Sequence, residues 1–190
     1  IRRQRQMCIR EAINPIVTIK NGSIDNLFGG ANLAIADKSN VTIENGTFKN
    51  IYGGGNEAGI TNSTSLIING GNIASDIYGG GNYGTVGKDT TVLINDATIL
   101  GSAYAGGNGS LANVKGNTSI TVNGTTTIGS DNSKAPLSGS LFGGGNAAST
   151  GLESENNSTT VVNIAGATIY GNVYGGANTS TIYGLSLIHI

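Results

Sequence analysis

Residues 41–56 read VTIENGTFKNIYGGGN. Val41 and Ile43 alternate with Thr42. An Asn-Gly pair follows at Asn45 and Gly46, another apolar residue stands at Phe48, and Ile51-Tyr52 leads into three glycines and Asn56. Alternation of β-branched residues at a period of two is the pattern of a strand with one face buried. Asn-Gly tolerates the positive φ that a tight turn demands.

The same arrangement recurs six times. Its aromatic falls at Phe28, Tyr52, Tyr78, Tyr104, Phe142 and Tyr174, with spacings of 24, 26, 26, 38 and 32 residues. Four positions after each aromatic comes an asparagine: Asn32, Asn56, Asn82, Asn108, Asn146 and Asn178. Before each aromatic lie two alternating apolar residues, Val17/Ile19, Val41/Ile43, Leu66/Ile68, Val92/Ile94, Ile120/Val122 and Val162/Ile164. One more apolar position follows, at Ile24, Phe48, Ile73, Ile99, Ile128 and Ile169. Between the two elements sit pairs such as Asn21-Gly22, Asn45-Gly46, Asn95-Asp96 and Asn123-Gly124. Gly, Asn, Thr and β-branched residues dominate throughout, which argues against helix.

A unit of about 25 residues cannot bury its own apolar side chains, but stacked units bury each other's in a continuous column. The spacing therefore predicts an all-β parallel solenoid, a β-helix of about six coils. Successive coils would lie roughly 4.8 Å apart. A β-propeller or repeated-hairpin fold is the alternative; propeller blades need about 40 residues, and 25 is short for one. In a solenoid the aromatics would stack as a ladder. The asparagines would form an amide ladder, each bonded to its counterparts above and below.

The two ends differ from the repeats. Residues 2–10, RRQRQMCIR, hold all four arginines, the only Met and the only Cys, and the only His lies in LSLIHI at 185–190. Read back into codons, the two strings resemble the translated adapter of a short-read sequencing library. The second is the reverse complement of the inner part of the first, and Glu11 departs from the pattern, which would continue with Asp. On that reading the chain divides into adapter-like residues 1–10, a repeat region over 11–184, and adapter-like residues 185–190.

Setting the ends aside leaves six lysines against eleven acidic residues, a net charge of −5. No basic surface remains to neutralise phosphates, so a nucleic-acid partner is not expected. Without Cys or His there is neither a disulfide framework nor an ordinary zinc ligand set, and no metal or cofactor is expected. No apolar run is long enough to span a bilayer as a helix. The glycine-rich motif lacks the helix start and Lys of a phosphate-binding loop. It also lacks the carboxylate of calcium-binding nonapeptides.

Catalytic signals are weak. Asp25 and Asp76 fall near equivalent positions, with Lys49 and Asn50 on the coil between, but no convincing acid–base pair emerges. No catalytic residue is assigned, and the chain reads as a non-enzyme. Ice binding by ranked threonines is discounted, because the outward column Thr18, Thr42, Ile67, Leu93, Thr121 and Asn163 is irregular. Two stretches break the period, 129–140 and 147–159. Long loops on a rigid scaffold concentrate recognition chemistry, so Asp131, Lys134, Glu153 and Glu155 are the candidate ligand-binding residues.

The Gly/Asn/Thr-rich coils, with residues 41–56 as the clearest copy, resemble the repetitive β-helical surface proteins of bacteria, including adhesins and autotransporter passenger regions. The resemblance covers about residues 15–184 and rests on architecture and composition. It implies an exported, cell-surface repeat region that is structural or adhesive, with a host or matrix protein or glycan as partner. A carbohydrate-binding or polysaccharide-cleaving β-helix, or a phage tail fibre, shares the same look. Cut ends of a solenoid also imply end-to-end self-association.

Overall fold

The computed structural model describes residues 14–131 and 139–190. The segment 1–10 and Lys134 lie outside the described residues. Among the described residues there is no helix, and the chain winds as a parallel β-solenoid of about six coils.

Each coil contributes one strand to a seven-stranded parallel sheet, whose last strand follows the sixth coil. These are β1 (Ile16–Ile19), β3 (Ser39–Ile43), β5 (Thr64–Ile68), β8 (Thr90–Asn95), β11 (Thr118–Asn123), β14 (Ser158–Ala165) and β17 (Gly184–His189). The second sheet is entered by β2 (Ser23–Phe28) and β4 (Thr47–Tyr52), which are continuous. In later coils the same path splits into β6 (Gly71–Ile73) and β7 (Ile77–Tyr78), β9 (Ala97–Ile99) and β10 (Ala103–Tyr104), β12 (Thr127–Ile128) and β13 (Leu141–Phe142), and β15 (Thr168–Ile169) and β16 (Val173–Tyr174). The split has a simple cause. Phe48 and Ile51 are three positions apart, whereas their partners Ile73 and Ile77 are four apart, and the extra residue interrupts the ladder.

The alternation read from the sequence points inward as expected. Val41, Ile43, Leu66, Ile68, Val92, Ile94, Ile120 and Val122 are buried and packed with Phe48, Ile73, Ile99 and Ile128 in one core. The Asn-Gly and Asn-Asp turns also adopt the required backbone: φ is positive at Gly22, Gly46, Asp96 and Gly124.

Two columns were not anticipated. A third side of the coil is closed by single bridges linking Ala36, Ile60, Val86, Val114, Thr150 and Ile182. Its signal was present, since an apolar residue or Thr150 stands four positions after the asparagine in five of the six coils. The second is a column of buried hydroxyls, Ser39, Thr64, Thr90, Thr118 and Thr160, which extends the inward alternation of the first sheet by one place. Thr64, Thr90, Thr118 and Thr160 each donate to the carbonyl of the small residue after the aromatic, Gly79, Ala105, Gly143 and Gly175, at 2.5–2.6 Å. At these four positions the buried polar atom is paired; Ser39, which opens the column, has no hydrogen-bond partner for its hydroxyl.

Thr150 is buried too, but its hydroxyl has no partner. The same substitution should therefore have opposite signs at two sites. Thr90→Val strands the Ala105 carbonyl and should cost about 1–2 kcal/mol, whereas Thr150→Val removes an unpaired group and should stabilise by about 1 kcal/mol. Chemical denaturation of both variants checks the pair; equal signs would refute the assignment.

The first sheet continues through β17, so residues 185–189 pair like the repeats. A parallel edge accepts any segment with suitable alternation. Ser186 and Ile188 fall opposite the inward-facing Thr160 and Val162.

Candidate functional site

The repeated motif builds two ladders along the rod. Ring centroids from Phe28 through Tyr52, Tyr78, Tyr104 and Phe142 to Tyr174 are 4.7–5.0 Å apart, with planes inclined by 6–11°. The rings from Phe28 to Phe142 pack as a cluster of their own, on the strand face opposite Ile51, Ile77, Ala103 and Leu141, which fill the main core; Tyr174, at the end of the stack, is exposed. Alongside runs the amide ladder. Nδ2 of Asn56, Asn82, Asn108, Asn146 and Asn178 each donates to Oδ1 of the asparagine one coil earlier, at 2.8–3.0 Å. The glycines of the motif permit this close stacking; a Cβ on Gly80 would lie 2.9 Å from the backbone nitrogen of Gly107.

A further polar column passes through Asn26, Asn50, Asp76, Ser102, Ser140 and Asn172. Asn50 Nδ2 donates to Asn26 Oδ1 at 2.9 Å, and the backbone N–H of Asp76 donates to Asn50 Oδ1 at 3.3 Å. The N–H groups of Ser102, Ser140 and Asn172 continue the series onto Asp76 Oδ1, Ser102 Oγ and Ser140 Oγ, at 2.7, 3.2 and 3.0 Å. These bonds share one polarity, the later coil donating and the earlier accepting.

This column corrects the Asp25/Asp76 reading. Asn26 pairs with Asn50, and Ile51 with Ile77, so Asp76 follows Asn50 while Asp25 stands opposite Lys49, one column away. Asp76 is occupied structurally, its Oδ2 also accepting from the Tyr78 hydroxyl at 3.2 Å. Burial, and then the Asp76 carboxylate, raise the phenols of Tyr52 and Tyr78 and push Tyr104 up to about 12. These tyrosines stay protonated and neutral at physiological pH.

A cleft of about 330 Å³ lies beside Asp25 and Lys49, with Phe48, Thr47 and Ser75 among its walls. Its walls carry one carboxylate, one ammonium and the hydroxyls of Ser23, Thr47 and Ser75. Among the described residues no three His, Cys, Asp or Glu side chains cluster as a metal site, and no helix is long and apolar enough to cross a membrane.

The candidate ligand residues fall at separate corners. Asp131 is exposed on the insertion between β12 and β13, in the second sheet. Glu153 and Glu155 are exposed on the insertion between Thr150 of the bridge column and β14 of the first sheet. The second insertion is shorter than the sequence suggested. Asn146 to Thr150 follows the other coils, and only the stretch beyond Thr150 is extra; it closes on itself through the N–H groups of Glu155 and Asn156, which donate to Leu152 O.

The first insertion leaves the coil through a glycine neck. Gly129 and Gly139 both have positive φ, and a Cβ on either would collide with the other's backbone. Gly129, Gly139, Ser140 and Leu141 then continue the coil as Leu100, Gly101, Ser102 and Ala103 do one coil earlier. Deleting residues 130–138 should therefore leave the melting transition nearly unchanged, within about 1 kcal/mol; loss of cooperative unfolding would show that the neck is misassigned.

Comparisons with protein-family models, with curated proteins and with solved structures find no match for this chain.

Proposed function

We propose that the chain is a non-catalytic repeat region of an exported bacterial surface protein, serving as a rigid structural or adhesive rod. The observation that carries this reading is the continuity of the ladders. Six aromatic rings and six asparagines follow one another without a gap, even across the coil that carries both insertions. A recognition cleft would gather its loops on one side of the rod. Here the insertions leave from different corners, and the first is spliced out at its neck. A stack of parallel coils gives stiffness and length, and loops on such a scaffold display side chains without disturbing it. On the two insertions, Asp131, Lys134, Glu153 and Glu155 are the charged groups available to a protein or glycan partner.

The test is to screen the parent chain and the 130–138 deletion on glycan and extracellular-matrix arrays, together with a polysaccharide cleavage assay. Binding by the parent that is lost in the deletion supports adhesion through the first insertion, and an intact rod without binding supports the purely structural role. Release of new reducing or unsaturated ends from a polysaccharide would overturn the non-catalytic reading. The nucleotide record over 2–10 and 185–190 tests the adapter assignment.

A further inference from the structure

Five Asn-Gly pairs occur in the chain, at Asn21-Gly22, Asn45-Gly46, Asn69-Gly70, Asn108-Gly109 and Asn123-Gly124. Asn-Gly is the dipeptide most prone to spontaneous cyclisation, because glycine leaves the following backbone nitrogen unhindered. In that reaction the deprotonated glycine nitrogen attacks the asparagine Cγ, a C–N bond forms and ammonia leaves, giving a five-membered succinimide. Water then adds to one of the two ring carbonyls and breaks one C–N bond. The product is aspartate or isoaspartate, and the net change is amide plus water to acid plus ammonia.

The structure divides these five sites into two groups. Asn21 and Asn45 curl back on their own glycines, with Gly22 N 2.9 Å from Asn21 Oδ1 and Gly46 N 2.8 Å from Asn45 Oδ1. Cγ is one carbonyl bond, about 1.2 Å, from that oxygen, so at both sites the side-chain carbonyl is held over the glycine nitrogen that would attack it. The other three amides are tied across coils. Asn69 donates to Glu44 Oε2 and accepts from Asn95 Nδ2, both at 3.0 Å. Asn108 is bonded on both sides by Asn82 and Asn146, and the nitrogen of Gly109 is engaged with Asn82 O at 2.7 Å. Asn123 donates to Asn95 Oδ1 at 3.1 Å.

We propose that Asn21 and Asn45 are sites of spontaneous deamidation in the folded chain, and that the inter-coil ladders protect Asn69, Asn108 and Asn123. Exposure alone does not explain the division: Asn108 and Asn123 are partly buried, but Asn69 is exposed like Asn21 and Asn45. Cyclisation at a laddered site must first break one or two side-chain hydrogen bonds, each a net contribution that slows the reaction several-fold. Both reactive sites lie at the turn between the two sheets, and conversion at Asn45 places a second carboxylate next to Glu44. The rod thus acquires negative charge at one corner with age.

The full chain is incubated at mildly alkaline pH, and each site is followed by peptide mapping, with isoaspartate confirmed by enzymatic methyl transfer. Asn21 and Asn45 should convert about tenfold or more faster than Asn69, Asn108 and Asn123. In urea the five rates should converge. Asn95→Ala, which removes a partner of Asn69 and of Asn123, should accelerate both without changing Asn45. Asn69 keeping pace with Asn45 in the folded parent would overturn the proposal. So would silence at Asn21 and Asn45 under conditions where the denatured chain reacts at all five.

Discussion

Ile94→Asp should abolish folding. Ile94 is fully buried, with Ile68 on the strand before it and Val122 on the strand after it. Every neighbour of the new carboxylate along that inward column is a hydrocarbon. An unpaired buried charge is among the few single changes that cost more than about 4–5 kcal/mol, which is comparable to the whole stability of a small domain. The neighbouring residue supplies the control: Leu93 points to the outer face and is only half-buried, so Leu93→Asp should shift stability by about 1 kcal/mol or less. Circular dichroism and a thermal melt distinguish the two. An Ile94→Asp chain that melts like the parent would mean that the inward face has been misidentified.

Tyr78→Ala is expected to have the next largest effect. The Tyr78 ring lies between Tyr52 and Tyr104, 5.0 Å from each, and is almost fully buried. Truncation removes two stacked contacts at once and opens a gap that the rigid coil spacing cannot close. The expected loss is about 3–5 kcal/mol. Tyr78→Phe keeps the ring, as Phe28 and Phe142 already do at other rungs, and gives up only the hydroxyl bond to Asp76. That loss should be about 1 kcal/mol. Urea unfolding midpoints provide the comparison, and equal losses in the two variants would show that the ladder contributes nothing beyond a single hydrogen bond.

Much of this architecture was legible in the residues because a solenoid repeats its local rules. Alternating Val and Ile fixed the inward face, the Asn-Gly pairs marked the turns, and the aromatic and asparagine columns followed once the period was known. These features depend on neighbours a few positions away in the chain, which the sequence displays directly.

What depended on register between coils was not legible. The single residue added between Ile73 and Ile77 moves Asp76 into the Asn50 column and away from Asp25, and a shift of one residue changes which face and which partner a side chain meets. The hydroxyl partners of Thr64, Thr90, Thr118 and Thr160 are carbonyls 15 or 25 residues distant, so neither the inward place of these threonines nor what satisfies them was read from the sequence. The sequence by itself determined the strand faces, the turns and the six-coil period, because these follow from backbone sterics and hydrophobic alternation within one coil. Only the tertiary structure decided which polar groups meet across coils, and hence which insertions leave the rod undisturbed and which Asn-Gly pairs are held in place, because hydrogen bonds between residues one coil apart form only in the stacked register.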